Sequence, residues 1–246
     1  MKSGIFVVGL VFLALPLWGS PELSGLWALY QVTVDRWEVP FIGERERIGE
    51  TFSLVKIVQN GKDLDIVIVR PCGVFVDSGT SLVRIVIPEA LWQPRAGDRV
   101  RGRLVWEDPH WIVEVPRFPE VYGVRLEDPY NDPLPKSPED PRIFDHDGDG
   151  KPGVTVRITV AFLLSGEVYS VQRLWREYRG ILEGPNLIRG TLFWENEEFI
   201  AGASSPFLVQ SGQSIPDYSR SFFVLLKLDE PWDCPRLVEV LSQRYR

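Results

Sequence analysis

From residue 26 onward the chain alternates apolar and polar side chains with a period of two, and turn residues end each run. Side chains that point by turns to the two faces of a strand produce this pattern, and a helix does not. Residues 26–34 and 52–59 are the first runs; Asn60-Gly61-Lys62-Asp63 and a third run at 64–70 follow. Asn-Gly between alternating runs is the strongest short hairpin signal, because both central positions of the favoured turn need positive φ. Residues 72–76 and 82–87 form a further expected pair around Asp77-Ser78-Gly79-Thr80, and 98–106 and 111–115 flank Asp108-Pro109.

The runs then stop. Pro116, Pro119, Pro129, Pro133, Pro135, Pro138 and Pro141 fall within 29 residues, with acids between them. Proline cannot donate to a strand ladder, so this stretch is expected to be a surface connection, and a compact domain keeps one this long for a functional reason. Runs resume at 154–164, 167–178, 188–194, 199–201 and 221–228, with a turn expected at Glu195-Asn196-Glu197-Glu198. Residues 235–245 instead place Leu237, Val238, Leu241 and Tyr245 at helical spacing, behind Asp233 as N-cap and Pro235 in the first turn. About ten strands, no βα alternation and one terminal helix predict an all-β antiparallel meander closed into a barrel. The long Pro-rich loop would span 116–153, and two sandwich halves on either side of it are the alternative.

Lys2 followed by an apolar run over residues 4–15, then Pro16, Gly19 and Ser20, has the form of a secretory signal peptide over residues 1–20. Residues 21–246 are then a single domain, exported to the periplasm or secreted, with no stable membrane insertion after cleavage. Removing residues 1–20 takes away Lys2 and no acid, so the formal charge moves from -7 to -8. An acidic product is a poor partner for nucleic acid, whose phosphates need Lys and Arg. Cys72 and Cys234 are the only cysteines. In an oxidising compartment an even pair reads as one disulfide, with two unpaired buried thiols the alternative. The domain has enough chain to bury a core as a monomer.

Ser24-Gly25-Leu26-Trp27 opens the first run. This Gly-x-Trp entry is similar to that of the lipocalins, and the terminal helix after the last strand is similar to lipocalin order. The resemblance implies an eight-stranded barrel with Trp27 plugging its closed end and a small apolar ligand inside. It also implies a basic residue over Trp27, for which Arg220 and the C-terminal arginines are candidates. The chain departs from the family in its length and its mid-chain acidic insertion.

That insertion contains Asp145-His146-Asp147-Gly148-Asp149-Gly150-Lys151-Pro152-Gly153. Alternate side chains in a tight loop converge, so Asp145, Asp147 and Asp149 can meet on one hard cation, and Gly150 permits the positive φ that turns the chain around it. The run resembles the loop shared by EF-hands, dockerins and type 3 thrombospondin repeats. The resemblance implies Ca²⁺ as cofactor, with the backbone carbonyl of Lys151 as a further ligand. Val156 stands where an EF-hand has its bidentate Glu, and a strand follows rather than a helix. Missing oxygens would come from water or from Asp132, Glu139 and Asp140. His146 is expected to point outward into solvent.

Catalytic patterns are sparse. His110 and His146 are the only histidines, and no nucleophile elbow, His-Glu-x-x-His or phosphate loop occurs. Asp77-Ser78-Gly79 resembles one aspartic-protease triplet, but it has no second copy and suits a turn. Glu195, Glu197 and Glu198 supply the carboxylates a polysaccharide hydrolase would need. Nine tryptophans are many for this length, and Trp92, Trp106, Trp111, Trp175 and Trp194 lie on or beside runs, where they can pack a core or face a sugar or lipid. The expectation is an exported, non-enzymatic binding protein holding a structural Ca²⁺ ion. A secreted polysaccharide hydrolase or carbohydrate-binding module is the alternative. A large cavity lined by Trp and Leu would favour the carrier, and two facing carboxylates in a cleft the hydrolase.

Overall fold

The Asn60-Gly61 turn closes as its residues require: Gly61 takes φ +63°, and the flanking runs pair from Asn60 with Asp63 to Ile48 with Asp77. A computed structural model of the chain describes residues 20–39, 43–161, 164–209 and 214–246. The expected signal peptide lies, but for Ser20, outside the described residues. The strands are β1 (Gly25–Val39), β2 (Gly43–Asn60), β3 (Asp63–Asp77), β4 (Val83–Val86), β5 (Arg99–Glu107), β6 (His110–Tyr122), β7 (Val154–Val160), β8 (Leu164–Leu182), β9 (Leu187–Ala203), β10 (Ile215–Pro216) and β11 (Phe222–Leu228). All strand pairings are antiparallel. They run β1-β2-β3-β5-β6-β8-β9-β11, and β11 returns to β1, so eight strands close a ring in meander order. Closure removes the exposed sheet edges that an open meander would leave. The alternative of two sandwich halves falls, because β6 and β8 pair across the Pro-rich stretch, from Ile112 with Ile181 to Tyr122 with Gln172.

Several boundaries differ from expectation. Cys72 and Val76 belong to β3, which continues through Pro71. β4 pairs with β7 and not with β3. Pro71 lies between two register shifts in the β2–β3 ladder, where a missing donor costs least. β6 likewise runs on to Tyr122 through Pro116 and Pro119, with a bulge between Val115 and Phe118. Beyond Glu114 its β5 side is unpaired, which leaves room for residues without an N–H. The irregular connection therefore starts at residue 123. Glu195 to Glu198 form no turn but lie inside the continuous β9, where Glu195 pairs with Arg117 of β6 and Glu197 with Arg173 of β8.

β8 is long enough to serve two partners on one edge. Residues 172–181 pair with β6, and residues 164–170 pair with β7. The second pairing extends the barrel beyond its filled end, with β4 beside β7 and β10 beside β1. In the filled end, inward side chains of the ring pack Trp27, Val55, Ile57, Leu64, Leu104, Val113, Ile188 and Phe223 into one core. α2 (Cys234–Tyr245) lies on the outside of β1 and β2, burying Leu237 and Leu241 completely against Ala28, Tyr30, Leu54 and Val224. Its cap is as expected: the Asp233 side chain accepts the Arg236 N–H at 2.9 Å. The Cys72–Cys234 disulfide ties the start of α2 to β3.

Candidate functional site

The acidic loop closes on itself. His146 N–H donates to Gly153 O and Gly153 N–H to Phe144 O, both at 2.9 Å, while Phe144 N–H donates to Gly123 O at 3.1 Å. These bonds return the chain to the start of β7. Gly148, Gly150 and Gly153 take φ +75°, +83° and +83°, so Gly150 has the positive φ expected of it. Carboxylate oxygens of Asp145, Asp147 and Asp149 lie within 4.8 Å of one another, so the three can hold a metal ion.

The individual bonds suit that role. Asp145 accepts N–H bonds from Gly148 (2.7 Å), Asp149 (3.2 Å) and Gly150 (2.8 Å). The Gly150 N–H, with those of Gly148 and Asp149, holds the Asp145 carboxyl below the usual carboxylate range. Asp147 Oδ2 accepts from Thr155 N–H at 2.9 Å and so caps the first residues of β7. Asp147 Oδ1 is buried and has no hydrogen-bond partner. A buried, unpaired carboxylate oxygen is costly unless something meets it, and here it belongs to the carboxylate cluster. Lys151 places its ammonium over the Tyr169 ring at 5.7 Å, and Asp149 accepts its N–H.

Asp132, Glu139 and Asp140 do not join. Asp140 pairs with Arg142 at 2.8 Å, Glu139 bonds Ser137, and Asp132 accepts the Asp128 N–H. His146 is not solvated as expected: its ring packs at 5.6 Å from Tyr122 and 5.5 Å from Phe144, and Nδ1 accepts the Gly123 N–H at 3.3 Å. Burial lowers its basicity against the opposing pull of Asp147 and Asp145. The loop is docked on the barrel through this histidine and through close backbone approach at Gly153. A Cβ on Gly153 would stand 2.2 Å from Ser170 O, whereas one on Gly148 meets nothing within 4 Å. Gly148→Ala is therefore expected to cost about 1 kcal/mol for φ alone, and Gly153→Ala about 2–3 kcal/mol. Thermal melting of the two variants checks the order, and equal costs would show that the loop is not held against β8.

The extended end of the barrel is hollow. A cavity of about 1150 Å³ lies between β1, β2, β3, β4, β7, β8 and β9. Its wall is mainly apolar, with Ile85, Trp92, Val156, Ile158, Leu174 and Ile200. It reaches solvent beside Phe207 and Ile215, which are 70% and 50% exposed. β1 shows how one strand serves both halves. Its inward residues Trp27 and Leu29 fill the core, while Thr33, Asp35 and Trp37 line the cavity. At the mouth Arg47 holds Asp35 with bonds of 3.0 and 2.6 Å.

The cavity floor is charged. α1 (Glu89–Trp92) and the 3-10 turn Gln93–Arg95 link β4 to β5, burying Leu91 and Trp92 and bringing Arg95 to Glu120 at 2.7 Å. Arg176 meets the same carboxylate at 2.9 Å and donates to Gln31 Oε1 at 2.5 Å. Burial alone would raise the Glu120 carboxyl, but Arg176 and Arg95 outweigh it and hold it below the usual range. Tyr122 donates to Glu120 at 3.3 Å, so the ring that carries His146 also reaches the floor. None of Arg95, Glu120 and Arg176 stood out in the sequence, because they come from three separated segments and no local pattern joins them.

The other expected site residues separate. Trp92 and Trp194 line the cavity. Trp175 also borders the cavity, and its ring lies under Arg117 at 4.5 Å and Arg173 at 5.1 Å. Trp106 and Trp111 pack edge to face, ring centroids 5.2 Å apart. Glu195 pairs with Arg117, Glu197 with Arg173 and Glu198 with Gln172. Arg173 also donates to Pro129 O and Asp132 O, pinning the Pro-rich connection to the outside of β8. Ser78 donates to Thr80 O and Val83 O, and Asp77 accepts from Gly79, as a turn requires. The cation over Trp27 is neither Arg220, which pairs with Glu46, nor a C-terminal arginine, but Lys227 of β11 at 5.6 Å.

Among the described residues, no helix is long and apolar enough to cross a membrane. Comparison with protein-family models, with curated proteins and with solved structures finds no match.

Proposed function

We propose that the protein is an exported carrier of lipocalin type, holding a small, mainly apolar ligand in its barrel. The cavity carries this reading: about 1150 Å³ of apolar-walled space above a filled half-barrel exceeds what side chains leave by accident, since interiors pack with few voids larger than a water. The Trp27 plug under Lys227 and the eight-strand meander support the lipocalin comparison. The disulfide supports export, because such bonds persist in oxidising compartments. Binding of the neutral dye N-phenyl-1-naphthylamine tests the reading. One saturable site per chain is expected, lost in Ile158→Trp, which fills the wall. Equal dye binding by both proteins would sink the proposal.

Calcium is the ion this reading places in the acidic loop. Three carboxylates and backbone carbonyls form an all-oxygen set, which suits a hard cation. Asp145, Asp147 and Asp149 would hold it, with the Lys151 carbonyl and water completing the shell. Its work would be to clamp the connection where the chain re-enters β7, since Asp147 already caps that strand. With an extracellular-type Kd of about 10⁻⁴–10⁻³ M, about 10 mM Ca²⁺ is expected to add roughly 1.4–2.7 kcal/mol of stability. Calorimetric melting with Ca²⁺ and with chelator reads this directly. Asp147→Ala should abolish the difference, and a wild-type midpoint that calcium leaves unmoved would refute the site.

A further inference from the structure

We propose that the ligand is a carboxylic acid with an apolar body, seated head-inward with its carboxylate on Arg95 and Arg176. The assignment rests on the carrier reading and adds the chemistry of the head group. Two guanidinium groups converge on the single carboxylate of Glu120, at 2.7 and 2.9 Å. All three side chains are largely buried, at 17%, 10% and 8% exposure. Asp98 also pairs with Arg95, at 3.0 Å, from the solvent side, its side chain 52% exposed. Of the other charges on the cavity, Asp35 and Arg47 neutralise each other, and Glu38 and Glu198 are exposed to solvent. The buried part of the floor thus holds two guanidinium groups against one carboxylate, and Asp98 balances the second from the solvent side.

Folding alone gives no reason for that arrangement. Buried ion pairs are seldom better for stability than well-packed apolar residues. The hydrogen bonds to protein occupy Nε and Nη2 of Arg95 and Nε and Nη1 of Arg176. Each guanidinium has five N–H donors, so both retain donors where they line the cavity. A carboxylate matches these remaining donors in shape, since guanidinium and carboxylate meet through parallel paired bonds. An ammonium, which has donors and no acceptor, could not use those donors. The apolar wall then takes the rest of the molecule.

Calorimetric titration with dodecanoate, 1-dodecanol, dodecyl phosphate and dodecylamine tests the assignment. Dodecanoate is expected to bind about tenfold or more tighter than dodecanol, the usual worth of a charge-assisted bond in a buried site. Arg176→Met should remove that preference while leaving dodecanol affinity unchanged, whereas a merely structural arginine would lower both together. Glu120→Gln, which frees both guanidiniums, should instead tighten dodecanoate by about tenfold and leave dodecanol unmoved. The gain keeps the proposal open to refutation even if Arg176→Met fails to fold. Equal affinity for acid and alcohol overturns the head-group assignment and spares the carrier reading. Preference for dodecyl phosphate or dodecylamine overturns the carboxylate. Failure of all four to bind overturns both readings.

Discussion

Cys72→Ser/Cys234→Ser is expected to be among the most destabilising changes this protein can suffer. The bond closes a loop with a sequence separation of 162 residues, and the chain-entropy model gives about 5 kcal/mol for a loop of that length. Engineered bonds often fall short of the model, so about 3–5 kcal/mol is the expected loss. The structure says where it will be felt. Cys234 begins α2, and α2 buries Leu237 and Leu241 on the outer faces of β1 and β2. Without the tether the helix keeps its apolar contacts but loses the covalent link that holds it beside β3. Denaturant unfolding of the oxidised protein, the double variant and the protein in reductant checks the effect. The last two should agree, and a shift below about 1 kcal/mol would show that packing alone holds the helix.

Trp27→Ala is the second large effect. Trp27 is fully buried at the filled end, donates Nε1–H to Leu23 O at 2.8 Å and lies beneath the Lys227 ammonium. It packs in one cluster with Val55, Ile57 and Leu225. Removing so large a ring from a site closed on all sides should cost about 3–5 kcal/mol, transfer and cavity together. Lys227→Met should cost far less, about 0.5–1 kcal/mol for a cation–π contact at a partly exposed site. If Trp27→Ala cost no more than Lys227→Met, the ring would not be the plug of this barrel. The hollow end provides the control: Trp92→Ala, which enlarges existing space, should be milder than Trp27→Ala.

Expected and observed strands agree and differ for physical reasons. Runs with clear alternation and strong turn residues, such as those around Asn60-Gly61 and Asp108-Pro109, formed where expected, because turn chemistry and pleat act over a few residues. The helix at 234–245 formed for the same reason, with Asp233 as its cap. Errors arose where a local signal was overruled by a neighbour distant in sequence. Pro71, Pro116 and Pro119 read as strand ends, yet bulges and an unpaired side absorb them. Glu195 to Glu198 read as a turn, yet Arg117 and Arg173 hold their carboxylates along β9. His146 read as solvated until Tyr122, 24 residues earlier in the chain, was placed against it.

The acidic loop is the part the sequence alone determined most fully. Its three carboxylates converge because they sit on alternate residues of one tight turn, and Gly150 turns the chain without help from elsewhere. The strand content and antiparallel class were equally local in origin. Tertiary structure decided the rest. Alternation tells which side chains face inward but not whether they meet, so β1 reads alike where Trp27 fills the core and where Trp37 borders a cavity. Only ring closure, with β11 against β1 and β8 against β9, sets the distance across the barrel. Only that distance brings Arg95, Glu120 and Arg176 together on its floor.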